Sequence, residues 1–138
     1  MDVFHKKRAS IVLIIDIESQ TYLSVFKDFY SYNIPGGKCF INENDIECAI
    51  REIREETGLL LDYNYMSLLH SEQCIDYFVS TYITYIWDGY INTEEEHFVE
   101  FLPLEKLLIN KNPSWIKYHK KLLEKIKKKK IKMIQYIP

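Results

Sequence analysis

The stretch Asn44–Thr57 (NDIECAIREIREET) constrains this chain more than any other. Ile46, Ala49, Ile50 and Ile53 fall at i, i+3, i+4 and i+7, the spacing of a helix that buries one stripe. Asn44 is placed to cap it, and Glu47, three residues on, completes a capping-box pattern. Gly58 suits the left-handed position that stops a helix. On that helix Glu52, Glu55 and Glu56 occupy an adjoining arc of roughly 100°. Glu52 is a surface neighbour of both others, so each pair repels by about a few tenths of a kcal/mol. All three lie near the helix C-terminus, where negative charge opposes the dipole. A divalent cation would relieve both conflicts. Three carboxylates on a rigid helix favour a hard ion, Mg2+ or Mn2+. The residue types alone leave a second reading open, a solvated acidic face paired with Arg51 and Arg54.

The rest of the chain supplies a sheet for this helix to cover. Ala9–Ile17 is short, apolar and β-branched, and predicts a buried strand. Thr21–Phe26 predicts a second strand, joined to the first through Glu18-Ser19-Gln20 as a hairpin. Met66–His70, Tyr77–Trp87 and Phe98–Leu102 predict further strands, and Pro35-Gly36-Gly37 a turn. Asn112-Pro113 opens a last helix, whose apolar positions Trp115, Tyr118, Leu122 and Ile126 recur at helical spacing. Strands flanked by two helices predict an α/β sandwich. At 138 residues the chain reads as a single domain, 1–138, with a basic C-terminal helix and tail from about 113. With 47% hydrophobic and 28% charged residues, intrinsic disorder is excluded as the main state.

Charge is unevenly spread. The first 102 residues carry a balance of −11 and the last 36 a balance of +9. An acidic body fits a cation site, and a basic tail could meet a polyanion such as an RNA backbone. The tail lysines run from Lys117 through Lys120, Lys121, Lys125 and Lys127–Lys130 to Lys132. The plainer reading is a soluble helix end whose lysines complement the dipole. No apolar run approaches the roughly 18 residues of a membrane span. The first ten residues lack the apolar core of a secretory leader, so a cytoplasmic location with no membrane partner is expected. Cys39, Cys48 and Cys74 show neither CxxC nor Cys/His ligand spacing. Free thiols are expected, with no disulfide framework and no structural zinc.

From Gly37 to Leu59 the chain reads GKCFINENDIECAIREIREETGL. This resembles the Nudix box, G-x5-E-x7-R-E-U-x-E-E-x-G-U, where U is a bulky aliphatic residue. Gly37, Glu43, Arg51, Glu52, Ile53, Glu55, Glu56, Gly58 and Leu59 fill every specified position. Pro35-Gly36-Gly37-Lys38 is similar to the family's approach to the box, and Phe98–Leu107 to its strand and short helix after the substrate loop. The resemblance implies an α/β/α sandwich with a mixed sheet and a loop–helix–loop box. It implies attack of water on a phosphorus of a nucleoside diphosphate joined to another group, assisted by Mg2+ or Mn2+. Glu52, Glu55 and Glu56 would hold the metal with the carbonyl of Gly37. Arg51 would hold Glu52 or Glu43 in place, and Glu43 would be structural. Lys38 would touch phosphate or simply face solvent. The acidic loop Glu94-Glu95-Glu96 would supply the general base, Glu95 first and Glu96 next, with Glu52 as competitor, or else form a plain exposed acidic turn. His97 reads as a surface or packing residue.

Substrate choice in this family lies outside the box. The short chain is similar to the nucleotide-sanitising, MutT-like branch, which cleaves nucleoside triphosphates to monophosphate and pyrophosphate. A base could stack on Tyr77, Phe78, Tyr82 or Trp87. The alternatives are a nucleotide joined to something else, including an mRNA cap, ADP-ribose or a dinucleoside polyphosphate, then a diphosphoinositol polyphosphate, and finally a module that binds nucleotide or RNA without turnover. The family allows a monomer or a homodimer.

Overall fold

β1 (Arg8–Asp16) runs through the middle of the sheet and is covered on both faces. Ile11, Leu13 and Ile15 join one buried cluster, and Val12 and Ile14 join the other. An unbroken apolar run, rather than alternation, is what a strand buried on both sides requires. The structure is a computed structural model that describes residues 7–92 and 97–134, with side chains through residue 129.

The other elements are β2 (Thr21–Phe26), β3 (Gly36–Lys38), α1 (Asp45–Thr57), β4 (Ser67–Gln73), β5 (Phe78–Thr84), β6 (Phe98–Pro103) and α2 (Pro113–Ile134). A 3-10 turn, Leu104–Leu108, follows β6. The strand order is β4-β5-β1-β2-β6, with β3 paired to β1. β1 and β5 are parallel from Arg8–Phe78 to Ile14–Thr84, whereas the other pairings are antiparallel. The sheet is therefore mixed. Ala49 and Ile53 of α1 pack with Val12 and Ile14 on one face. Tyr118, Leu122 and Ile126 of α2 pack with Ile11, Leu13 and Ile15 on the other. This is the expected α/β/α sandwich.

β1 and β2 pair only beside their hairpin, at Ile15–Tyr22 and Asp16–Thr21. Further along they part, and residues 33–35 fill the gap. The Val12 N–H donates to Pro35 O and the Val25 N–H to Asn33 O, both at 3.0 Å. This wedge delivers the chain to β3. Pro35-Gly36-Gly37, expected to turn, instead enters that strand, with Gly37 opposite Ser10. A three-residue strand with two glycines has no periodicity to detect.

α2 is fastened by polar contacts as well as by its apolar stripe. Tyr118 Oη and Thr81 Oγ1 lie 2.5 Å apart, and burial pushes the Tyr118 pKa up to about 12. Lys121 pairs with Glu72 on β4, and Lys125 donates to the carbonyl of Leu69 and to His70 Nδ1. Two of the tail lysines thus dock the helix. No helix among the described residues is long and apolar enough to cross a membrane.

The cysteines depart from expectation. Cys39 and Cys48, expected as free thiols, are joined in a disulfide with Cα atoms 5.1 Å apart. Cys74 is free, and burial pushes its thiol pKa up. β3 runs alongside the first turns of α1, which brings together two sulfurs that no spacing rule connects.

His119 is 2% exposed, with Nδ1 2.7 Å from Leu107 O. Burial lowers its pKa, against the opposing pull of that hydrogen bond. It is held neutral in the fold, whereas the unfolded chain protonates it below about pH 6.5. Its contribution to stability is full above that pH and is lost as the pH falls through the folded value. Denaturation midpoints at pH 7.5 and 5.5 should therefore fall further for the wild type than for His119→Gln. Equal falls would remove His119 from the acid response.

Candidate active site

The site begins at the N-terminus of α1. Asn44 Oδ1 accepts the Glu47 N–H at 2.8 Å, and Glu47 Oε1 accepts the Asn44 N–H at 3.0 Å. This is the expected capping box. Asp45, in the first turn, is tied to the sheet: Arg8 Nη1 donates to Oδ1 at 2.5 Å and Ser80 Oγ to Oδ2 at 3.0 Å. Ser10 Oγ donates to the Asp45 carbonyl at 2.7 Å. The far end stops at Gly58, φ 83°, whose N–H donates to Arg54 O.

With Ala49 and Ile53 buried against the sheet, the next arc of the helix faces β3. The Gly36 N–H donates to Glu56 Oε2 at 3.3 Å. Glu52 lies against Gly37 so closely that a Cβ there would sit 2.5 Å from Glu52 Oε2. Glu55 is the most open of the three, with 55% of its side chain exposed.

Arg51 ties the group together. Its Nε and Nη2 donate to Glu43 at 3.0 and 2.7 Å. Its Nη1 reaches Glu52 Oε1 and Glu55 Oε2, each at 3.0 Å, and Nη2 also donates to Lys38 O at 3.0 Å. The guanidinium lies over the Phe40 ring at 3.8 Å. Hydrogen bonds from Arg51 hold the Glu43 carboxyl below its ordinary range, and those same bonds raise the Arg51 pKa. Arg51 thus serves both of its expected partners and Glu55 besides. The acidic face is partly paired through Arg51, as the plainer reading anticipates.

Gly37, Lys38, Arg51, Glu52, Glu55 and Glu56 therefore converge. Glu95, with Glu94 and Glu96, lies outside the described residues. Glu52 and Glu56 meet β3 at Gly37 and Gly36, and Glu55 joins them through Arg51. Among the described residues, the acidic or sulfur ligand atoms that gather within 4.8 Å of one another are those of Cys39, Glu43 and Cys48. There the sulfurs are bonded to each other and Glu43 is occupied by Arg51.

A groove of about 390 Å³ opens beside the convergence, lined by Gly36, Gly37, Lys38, Glu56, Tyr77 and Trp115 among others. Of the four candidate stacking residues only Tyr77 lines it. Tyr82 and Trp87 pack in the cluster under α1, with Trp87 5.3 Å from Phe101. The Lys38 ammonium lies 5.6 Å from the centre of the Tyr77 ring. Trp115, expected as core, has one side in the core and the other in the groove. Asn33, which also lines the groove, carries no signal in the sequence. A second cavity, of about 280 Å³, shares Glu56 and reaches His97.

A family profile described as the NUDIX domain matches residues 5–126. The chain belongs to the Nudix family, and its class is that of the Nudix hydrolases, which act on diphosphate linkages of nucleotide derivatives and generally use divalent metal ions. Three solved structures show the same fold. MutT, from work on Aliivibrio salmonicida and Vibrio cholerae, is similar at TM-score 0.68 and 14% identity, over 83% of this chain and 96% of that one. The MutT Nudix hydrolase of Burkholderia pseudomallei is similar at 0.68 and 18%, over 85% and 98%. A putative Nudix hydrolase family member of Chromobacterium violaceum is similar at 0.69 and 21%, over 90% and 80%. A comparison with curated proteins returns no match.

Two adjacent glycines give a contrast. A Cβ on Gly36, φ 149°, would strike the backbone of Ser10 and Ile11, which cannot move aside. A Cβ on Gly37 meets only the end of the Glu52 side chain. Gly36→Ala should cost at least about 2 kcal/mol in denaturant unfolding. Gly37→Ala should stay within about 1 kcal/mol of wild type yet lose most hydrolysis. Full activity in Gly37→Ala would detach Glu52 from the reaction.

Proposed function

We propose that this chain hydrolyses nucleoside triphosphates to monophosphate and pyrophosphate with Mg2+ or Mn2+. The observation that supports this best is the placement of Glu52 and Glu56 against Gly36-Gly37 beside a groove with Tyr77 and Trp115 in its lining. The donor set fits a hard divalent cation. It consists of oxygens, and the missing side chain at Gly37 leaves clear a space that any Cβ would take from the Glu52 carboxyl. Glu52, Glu55 and Glu56 with the Gly37 carbonyl would hold the ion. When bound, it neutralises the diphosphate and lowers the pKa of coordinated water.

The chain's own groups do the positioning. Arg51 orients Glu52 and Glu55 by charge-assisted hydrogen bonds, and the Gly36 N–H orients Glu56. Lys38, at the groove, offers its ammonium to a phosphate. Tyr77 and Trp115 offer ring faces to a base, and a groove of this size accepts one. Glu95 would take the proton of the attacking water, from the segment that leads through His97 into β6. The exposed lysines Lys117, Lys120, Lys127 and Lys128 keep capped RNA as the second substrate to test, since Lys121 and Lys125 serve the fold.

A screen with Mg2+ and Mn2+ should compare ordinary and 8-oxo nucleoside triphosphates, ADP-ribose, a dinucleoside polyphosphate and capped RNA. Triphosphates should yield monophosphate and pyrophosphate, and Glu56→Gln should reduce kcat at least about 100-fold with unchanged unfolding. Near-wild-type kcat in that variant would refute the site. Trp115→Ala should raise KM more than it lowers kcat, because stacking serves ground state and transition state alike. Salt-sensitive release of m7GDP from capped RNA would move the assignment to decapping.

A further inference from the structure

The Cys39–Cys48 bond joins the two elements that carry the proposed cation cradle. Cys39 follows Gly37-Lys38 directly, and Cys48 precedes Glu52 by one helical turn. Cys48 Sγ also lies 3.7 Å from Gly37 O. Other contacts keep the two segments adjacent when the bond is open. The Cys39 N–H donates to Arg8 O at 2.9 Å, Lys38 pairs with Ala9, and the Cys48 N–H donates to Asn44 O at 3.0 Å. The loop between the cysteines is tied independently, by Arg8 to the carbonyls of Phe40 and Glu43 and by Arg51 to the Glu43 carboxyl. The two sulfurs therefore stay within reach of each other when the bond is open, while the bond fixes the finer separation of strand and helix. Its effect falls on the few atoms between strand and helix, which include Gly37 and Glu52.

We propose that Cys39 and Cys48 are a reversible redox lock on the cation cradle, closed by low-molecular-weight disulfides. The proposal rests on the reading of Gly37, Glu52 and Glu56 as that cradle. Cys39 is partly exposed and Cys48 is fully buried, which sets the order of events. The Cys39 sulfur attacks one sulfur of oxidised glutathione, and one glutathione leaves as the thiol, carrying the Cys39 proton. The Cys48 sulfur then attacks Cys39 and expels the second glutathione thiol, which carries the Cys48 proton. The cysteines lose two electrons together, and the glutathione disulfide gains them. Excess glutathione thiol reverses both steps. With the bond closed, Gly37 and Glu52 are held at one separation before the cation arrives, and binding no longer has to order them. With it open, that ordering weakens binding.

The full chain is oxidised with glutathione disulfide or reduced with glutathione, then desalted without air. Free thiols are counted, and Mn2+ is titrated by the resonance signal of the free ion. Thiols should fall from three to one on oxidation. The oxidised protein should bind Mn2+ about tenfold more tightly, equivalent to about 1.4 kcal/mol. Cys39→Ser should match the reduced protein and ignore the oxidant. Equal Mn2+ affinity in the two states, an unchanged thiol count, or an oxidant response in Cys39→Ser would each overturn the lock while leaving the proposed function standing. Absence of Mn2+ binding in both states would overturn the cradle itself, and the lock with it.

Discussion

Ala49 and Ile53 share a buried cluster with Val12 and Ile14, and that contact sets the rotation of α1. Each helical residue turns the axis by about 100°, so a roll of one position would carry Glu52 and Glu56 away from β3. Burial of a whole isoleucine contributes about 1.5–3 kcal/mol, which makes such a roll unfavourable. The apolar stripe fixes rotation but permits sliding along the axis. Asp45 prevents the slide, because Arg8, Ser10 and Ser80 grip the first turn from two strands. The carboxylates are placed by an apolar stripe and by side chains on two strands.

Three carboxylates at the end of a helix would repel one another and the dipole. Arg51 answers part of that charge, since one guanidinium reaches Glu43, Glu52 and Glu55. Its planar fork makes this possible where a lysine would offer a single point. Glu56 is approached from the other side by the Gly36 N–H. The ion-pair reading of these acids is thus met in part, through Arg51.

Long patterns were legible. The stripe and caps of α1, the stripe of α2 and five of the six strands follow from periodicity over many residues. Their ends shift by a few positions: Tyr77–Trp87 shortens to Phe78–Thr84, and Met66–His70 extends to Gln73. Short or long-range features were hidden. β3 has three residues, two of them glycine, and is held by its pairing with β1. The Cys39–Cys48 bond depends on strand and helix lying side by side. Trp115 satisfies a helical stripe, so nothing marks the side of it that lines the groove. His119 gives no pattern because its partner, the Leu107 carbonyl, lies in a turn twelve residues away.

By itself the sequence determined the chemical inventory: which acids share a helix, where that helix starts and stops, and that two glycines stand together at 36 and 37. These are local matters, set by dihedral preferences and by spacing along one element. The tertiary structure decided which groups meet. Arg51 is shared among three acids, Tyr77 rather than Trp87 lines the groove, and two cysteines nine residues apart bond to each other. Those outcomes depend on how strands part, wedge and pair across distances that no local pattern spans.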